Sequence, residues 1–390
     1  MNAEIPIAVV GLGPRALGTW IPSLLRIPGY RVVSVCDRIE PLIDRAAAAI
    51  PYPVRTATDY ADVLADPGVE AVALTVRSPE QGAIAAAALE AGKHVHAEVP
   101  AAPTIEDCWR IVRAAAASDR VYALAEQTRY WGFVEEWRRL VAAGELGHPT
   151  LCEGQYFHYL PGDKLVDPAT GEFFGPDDAP PQAVPTWQQW MPPIHYLPHE
   201  LSPMLKVLDD RVIEVVGMST RSHSYAHPTL AQPDMQVALM KTEKDTILRM
   251  AASFAQPHPH GEWHWYHLSG TGGRVEWRRA AQDQPKQWLN SDPDAGLRDM
   301  DWGYERADAP DQAVGSGHGD ADYYVHASFR DAVRGVSDPE LSVYQAMDTA
   351  APAILAAESI KLGSRPLPVP DFRPDGSLRT AGTHHGQGAR

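Results

Sequence analysis

One turn does most to limit what this chain can fold into. Gly11-Leu12-Gly13-Pro14-Arg15-Ala16 follows the apolar run Ile7–Val10 and opens the Ala-rich stretch Ala16–Arg26. Gly11 permits a tight turn, Gly13 lets the backbone approach a diphosphate, and Ala16 fills a third position that tolerates only a small residue. The diphosphate would rest on the amides and positive end of the helix that Pro14 and Arg15 lead into. Asp37 ends the next β-branched run, 21 positions after Ala16, where a carboxylate can accept from a ribose diol. Alone, the hexapeptide is a weak signal, and the competing reading is a bare turn with a solvated Asp. The strand-turn-helix setting together with Asp37 predicts a dinucleotide site. Asp37 would repel a 2′-phosphate, which favours NAD over NADP, while the neighbouring Arg38 pulls the other way. Ser78, in the turn after the run Ala71–Val76, joins the cofactor set.

The same alternation continues through the first 125 residues. Strands are expected at Ile7–Val10, Arg31–Cys36, Ala71–Val76, Val95–Ala97 and Val121–Ala125. Helices are expected near Ala16–Arg26, Leu42–Ile50, Asp59–Leu64, Gln81–Ala91 and Glu106–Ala117, the last opened by Thr104. This spacing predicts an α/β fold, a doubly wound, mostly parallel sheet. A helix over Val134–Ala143 leads out of it. The texture then changes to longer strands at Leu151–Tyr159, Val212–Arg221, Met235–Lys241, Thr246–Phe254, Trp263–Ser269 and Arg274–Trp277. Gly270-Thr271-Gly272-Gly273 supplies a hairpin turn between the last two. The second half therefore reads as α+β with an open, mostly antiparallel sheet. Two Pro- and acid-rich segments interrupt it, one from Leu160 to Pro193 with eight prolines, the other from Gln282 to Gly319. Helical patterns return at Asp322–Val333 and Tyr344–Leu362. The division expected is residues 1–130 for the nucleotide domain and 131–363 for a substrate and oligomerisation domain, with 364–390 as an extended tail. The last helix is expected to pack back on the first domain.

Composition narrows the partners. With 34 Lys+Arg against 50 Asp+Glu the formal charge is −16, a surface that repels phosphate backbones and anionic membranes. Nucleic acid and membrane are therefore not expected as partners. No apolar stretch reaches the ~18 residues of a spanning helix. Cys36, Cys108 and Cys152 are too few and too scattered for a disulfide framework or a zinc cluster, which points to the reducing cytoplasm.

Ala91-Gly92-Lys93-His94-Val95-His96-Ala97-Glu98-Val99-Pro100, taken with the Gly-rich turn, resembles the glucose-fructose oxidoreductase / inositol dehydrogenase / rhizopine-catabolism superfamily. Most members are dehydrogenases with Glu-Lys-Pro here, their lysine holding cofactor and substrate. This chain has Val99, which can neither donate a proton nor bind a hydroxyl. Glu98-Val99-Pro100-Ala101-Ala102 with Thr104 and Trp109 is similar to the NAD-dependent α-N-acetylgalactosaminidases of that superfamily. So are Glu153-Gly154-Gln155-Tyr156-Phe157-His158, Tyr196-Leu197-Pro198-His199-Glu200-Leu201-Ser202-Pro203 and Gly317-His318-Gly319-Asp320-Ala321-Asp322-Tyr323. Glu200 and Ser202 stand where that branch has glycines, and Pro198 where it has threonine.

The resemblance implies a glycosidase that works by a redox detour. Its retained NAD oxidises sugar carbon 3 transiently, the carbon-2 proton leaves, the aglycone is eliminated from carbon 1, water adds, and the ketone is reduced again. Such chemistry needs proton-transfer groups rather than a pair of acids, and Tyr196 and His199 are the catalytic candidates. A helix start at Pro198 would keep the His199 imidazole neutral. Without the resemblance, the two would read as a core tyrosine and a capping histidine. Glu98 is placed at the nicotinamide ribose or as a helix cap, and Gln81 near the nicotinamide or in a structural role. Tyr156, His158, Trp187, His318 and Tyr323 are candidate sugar contacts, each with a packing role as the alternative. Two further functions compete: an NAD-dependent sugar or cyclitol dehydrogenase, against which the absent lysine speaks, and a non-catalytic sugar or NAD sensor, against which Tyr196 and His199 speak. A homo-oligomer, dimer or tetramer, through the open sheet is implied. No metal is expected: His264 and His267 differ by three on a strand and face opposite sides, so with His258 and His260 they do not form a shared site.

Overall fold

A computed structural model describes residues 4–76, 79–159, 164–175, 177–228, 230–258 and 262–374. Ser78, His260 and the tail from 375 onward lie outside the described residues. The elements run β1 (Ile5–Val10), a π-helical turn (Ala16–Trp20), α1 (Ile21–Arg26), β2 (Tyr30–Cys36), α2 (Glu40–Ala49), β3 (Arg55–Ala57), α3 (Tyr60–Ala65), β4 (Ala71–Leu74), α4 (Gln81–Glu90), β5 (His94–Glu98), α5 (Ile105–Ala117) and β6 (Tyr122–Ala125). After a 3-10 turn at Gln127–Tyr130 come α6 (Gly132–Ala142), β7 (Pro149–Phe157), β8 (Leu165–Val166), β9 (Phe173–Phe174), β10 (Val184–Pro185), 3-10 turns at Trp187–Gln189 and Pro193–Tyr196, and α7 (Pro198–Leu208). The chain closes with β11 (Val212–Ser219), β12 (Gln236–Thr242), β13 (Ile247–Ser253), β14 (His264–Gly270), β15 (Gly273–Glu276), β16 (Lys286–Leu289), β17 (Arg298–Asp299), α8 (Ala321–Val333), α9 (Val343–Lys361) and β18 (Leu367–Pro368).

The first sheet has the order β3-β2-β1-β4-β5-β6 with every pairing parallel. Its central strands are apolar without alternation, as burial on both faces demands; all of Ala71–Leu74 is buried. The order reverses between β1 and β4, so a crevice opens beyond their carboxyl ends, where the Gly-rich turn follows β1. Asp59 and Thr104 cap α3 and α5 with side-chain oxygens, which satisfies otherwise unpaired amides.

The second sheet has nine strands in the order β17-β16-β15-β14-β7-β13-β12-β11-β18. All its pairings are antiparallel except β13 with β7. Its inner face is covered by α7 and α9, and α9 also packs on α5 and β6 of the first sheet. Alternation decides which side chains face inward. Gly154, Tyr156, His264, Tyr266 and Met250 share the inner face; Met218, Leu239 and Ile247 lie on the outer face and are exposed.

Both Pro-rich segments have more order than their composition predicts. The first forms a small sheet, β10-β8-β9, and is tied to α2 by Arg45, which donates to the carbonyls of Gly171 (2.8 Å) and Thr170 (2.7 Å). The second adds β16 and β17 at one sheet edge and is pinned where the amides of Gly132 and Phe133 bond the carbonyls of Tyr304 and Gly303. No helix among the described residues is long and apolar enough to cross a membrane.

Candidate functional site

The turn after β1 is built for close approach. Gly11 has φ +88°, and a Cβ there would lie 2.8 Å from the Val76 amide nitrogen, so only glycine fits. At Gly13 a Cβ would meet nothing within 4 Å; the backbone faces open space. Asp37 reaches back to this turn, its carboxylate accepting from the amides of Leu12 (2.6 Å) and Ile39 (3.0 Å). Around them lies a cleft of about 890 Å³. Gly11, Gly13, Pro14, Arg15, Asp37 and Arg38 line it from the first sheet, and Val166, Phe173, Trp187 and Trp190 from the Pro-rich segment on the far side. A turn that exposes its backbone, with the Asp37 carboxylate lining the same cleft, fits a dinucleotide.

Ala16, Gln81, Glu98 and Val99 stand behind that lining and are buried. Gln81 donates its amide to the carbonyls of Glu98 (2.6 Å) and Pro100 (2.9 Å) and so clasps α4 to the turn after β5. Glu98 accepts from the Trp20 indole (2.6 Å), Arg15 Nε (3.0 Å) and the Val99 amide (3.2 Å). The Arg15 guanidinium also contacts Asp322 (3.4 Å), and Asp322 in turn contacts His318 Nδ1 at 2.9 Å. This chain of charges joins the Gly-rich turn to the start of α8.

The second cluster assembles where β6, α7 and the inner face of the nine-stranded sheet meet. His199 sits in the first turn of α7, which Pro198 opens. Its Nδ1 donates to Glu126 Oε1 at 2.9 Å. Glu126, just past β6 and fully buried, also accepts from the Thr128 amide (3.1 Å) and hydroxyl (2.9 Å). The backbone carbonyl of His199 accepts from the Tyr266 hydroxyl (2.9 Å) and shares the single Thr128 hydroxyl proton (2.8 Å) with Glu126. With Nδ1 committed, Nε2 is the atom left to meet a substrate. Burial disfavours the imidazolium, but the Glu126 carboxylate, hydrogen-bonded to the ring, more than offsets it and raises the His199 pKa above its ordinary 6.5. The helix-start argument predicted the opposite direction; a carboxylate in hydrogen-bond contact outweighs the partial charge of a helix end.

Aromatic rings wall this cluster. Tyr196 stacks on Trp187 with centroids 5.1 Å apart and planes 7° apart, and its ring lies 5.2 Å from that of His199. Tyr156 lies 5.7 Å from Tyr196, 5.2 Å from His199 and 5.0 Å from His264. His158 stacks on Tyr156 at 5.6 Å; burial, aided by His264 and His199, lowers its pKa to about 3. Trp187 therefore belongs to both clusters, lining the cleft and flanking the tyrosine. His318 has φ +48°, gives its carbonyl to the Trp131 indole (2.8 Å) and presents a partly exposed ring. Tyr323 is not brought to this cluster; its described ring contact is with Tyr324.

Sequence reasoning missed Glu126, and with it the source of the His199 shift. It also missed the use of His264, which pairs with Glu200 (2.9 Å), while His267 faces outward and pairs with Glu153 (2.9 Å). Glu200 carried a signal, as a charged residue where similar chains have glycine; Glu126 carried none locally. Among the described residues no three His, Cys, Asp or Glu side chains gather as a metal set.

Residues 5–126 match the oxidoreductase family with an NAD-binding Rossmann fold. Residues 210–377 match the C-terminal domain of glycosyl hydrolase 109. A glycosyl hydrolase family 109 protein of Streptomyces niveus is 26% identical over 408 residues, which span 95% of this chain and 78% of the relative. One from Solibacter usitatus is 24% identical, over 95% of this chain and 89% of the relative. Among solved structures, a levoglucosan dehydrogenase in complex with NADH and L-sorbose superposes with a TM-score of 0.74 at 17% identity, over 95% of this chain and 100% of that one.

Proposed function

The chain belongs to the glucose-fructose oxidoreductase / inositol dehydrogenase / rhizopine-catabolism superfamily and carries the C-terminal domain of glycosyl hydrolase 109, and on that premise we propose that it cleaves a hexoside or amino-sugar glycoside while keeping its NAD. It is an NAD-dependent enzyme, and its glycosidase reading rests on relatives matched over nearly its whole length. The observation that carries the mechanism is the buried Glu126–His199 pair beside Tyr196.

Gly11, Gly13 and the helix they open would hold the diphosphate, Asp37 the adenosine ribose, and Trp187 would close the cleft from the far side. NAD held there would supply a reversible hydride acceptor for sugar carbon 3. Tyr196 binds the carbon-3 hydroxyl and manages its proton. A carbonyl at carbon 3 acidifies the neighbouring carbon-2 proton, which His199 Nε2 removes; Glu126 stabilises the imidazolium that forms. The aglycone then leaves from carbon 1, and water adds in its place. Each proton-transfer group contributes about 10²–10⁴-fold. Tyr156 and His158, on the inner sheet face, offer a sugar platform, and His318 reaches the site from the α8 side. Val99 gives no group for the lysine-assisted dehydrogenase route.

The exposed Met218, Leu239 and Ile247 on the outer face of the nine-stranded sheet support a homo-oligomer, dimer or tetramer, through that face. Three buried free cysteines suit a reducing compartment, the cytoplasm. The test is to purify the protein without added nucleotide and incubate it with aryl glycosides in deuterated water. Aglycone release with deuterium at carbon 2 and no net NADH supports the reading. Stoichiometric NADH from an intact glycoside would replace it with a dehydrogenase, and sugar binding without turnover with a sensor.

A further inference from the structure

A second histidine–carboxylate pair faces the same cluster from the opposite wall. Glu200 follows His199 on α7 but points to the sheet, where its Oε1 lies 2.9 Å from His264 Nδ1. Room for it comes from Gly154, whose added Cβ would sit 2.9 Å from the Glu200 Cβ. His264 lies opposite Tyr156 in the β14–β7 register. Its ring centroid is 5.0 Å from Tyr156, 5.0 Å from Trp131 and 6.1 Å from His199. The side chain is 12% exposed, as is that of His199.

The two pairs differ in their protons. Glu126 Oε1 accepts from two N–H donors, the Thr128 amide and His199 Nδ1, an arrangement that suits a carboxylate. Glu200 is fully buried like Glu126, and in both residues Oε2 has no hydrogen-bond partner among the described residues; what differs is the other oxygen, which in Glu200 meets the imidazole of His264. A buried ionised carboxylate without full hydrogen bonding is costly, and the neutral acid avoids that cost. Burial accordingly lifts the Glu200 pKa well above the carboxylate range, and burial with His199 nearby holds that of His264 well below 6.5. A neutral Glu200 donates its O–H to Nδ1, which fixes the other proton of His264 on Nε2. His199 thus presents a lone pair to the site, and His264 an N–H.

We propose that His264 is the acid that protonates the departing glycosidic oxygen, with Glu200 as the positioning residue that replaces its proton. This rests on the glycosidase reading and adds the half of the elimination that His199 cannot perform. As the carbon-2 proton passes to His199, the bond from carbon 1 to the glycosidic oxygen breaks and its electron pair goes to the oxygen. That oxygen takes the Nε2 proton of His264, while the Glu200 proton moves to Nδ1. His264 stays neutral, and the charge of the Glu200 carboxylate balances that of the His199 imidazolium. When water adds at carbon 1, its proton goes to Nε2 and the Nδ1 proton returns to Glu200.

The test compares leaving groups. The full-length protein and its His264→Asn and Glu200→Gln variants are assayed on a methyl glycoside, which needs the acid, and on a nitrophenyl glycoside, which does not. Deuterium uptake at carbon 2 is followed in parallel. The expected result is a loss of about 10²–10⁴-fold on the methyl glycoside for His264→Asn, below about tenfold on the nitrophenyl glycoside, with carbon-2 exchange retained. Glu200→Gln, isosteric but unable to relay a proton, shows the same selectivity and carries the test if His264→Asn does not fold. Equal losses on both leaving groups, or none, in variants of an active enzyme overturn the assignment alone. An unmodified protein that makes NADH from intact glycoside overturns the glycosidase reading, and this proposal with it.

Discussion

Replacing Glu126 by Gln keeps the shape of a buried side chain and removes its charge, so it isolates what that charge does for His199. In the imidazolium form, the 2.9 Å bond to Glu126 is charge-assisted and worth about 1.5–3 kcal/mol; with a neutral amide it falls to about 0.5–1.5 kcal/mol. The difference, about 1–2 kcal/mol, corresponds to roughly one pKa unit at about 1.4 kcal/mol per unit. The sign follows from the base role. As the proposed base, His199 would act deprotonated, and its pKa is raised by Glu126, so kcat/KM should climb with pH through a value above 6.5. In Glu126→Gln the acid limb moves down by about one unit, and the plateau rate falls about tenfold because the base is weaker. The assay is the pH profile of aglycone release, with carbon-2 deuterium exchange as a second readout and NAD retention as the control for folding. An acid limb that stays in place, or moves up, while activity remains would refute both the base assignment and the electrostatic reasoning behind it.

Three further outcomes are expected. Gly11→Ala, forced to φ +88° with its Cβ 2.8 Å from the Val76 nitrogen, costs about 1–3 kcal/mol of stability, read as a lower Tm. Gly13→Ala meets no protein atom within 4 Å and leaves the Tm of the cofactor-free protein unchanged, yet weakens NAD binding at least about tenfold, because the backbone can no longer approach the diphosphate; equal NAD affinity by calorimetry would argue against this cofactor position. Arg15→Ala leaves the buried Glu98 and Asp322 without their shared cation, and thermal melts should show a loss of about 3–5 kcal/mol, well beyond that of an exposed Arg38→Ala.

The parallel first sheet could be read from the sequence because its signals are local: an apolar run, a Gly-rich turn, an Ala-rich helix. What escaped was short or polar. Arg55–Ala57 is a three-residue edge strand of mostly exposed side chains, and β16 and β17 are held by pairing and anchoring contacts rather than by an apolar pattern. The site followed the same division. Gly11, Gly13 and Asp37 sit within one strand-turn-helix-strand unit, and spacing identifies them. Glu126 and His199 are 73 positions apart, and Glu200 and His264 are 64 apart; only the packing of α7 between two sheets brings each pair together. The direction of the His199 shift was misjudged for the same reason, since the deciding charge lies on another element.

The Pro-rich segment that walls the cleft, tied to α2 by Arg45, bears on how the molecule lives with its surroundings. A dehydrogenase must exchange spent cofactor every cycle, so its rate follows the ambient balance of oxidised and reduced nucleotide. An enzyme that returns its hydride within the same turnover gains from the reverse, and a wall such as Val166, Phe173, Trp187 and Trp190 make would help it keep one oxidising equivalent from one turnover to the next. Such a protein is insulated from shifts in the cell's nucleotide redox balance. It is exposed instead to a single accident: a keto-sugar that escapes before the hydride is returned strands the cofactor reduced, and a molecule that cannot readily swap it is then out of service.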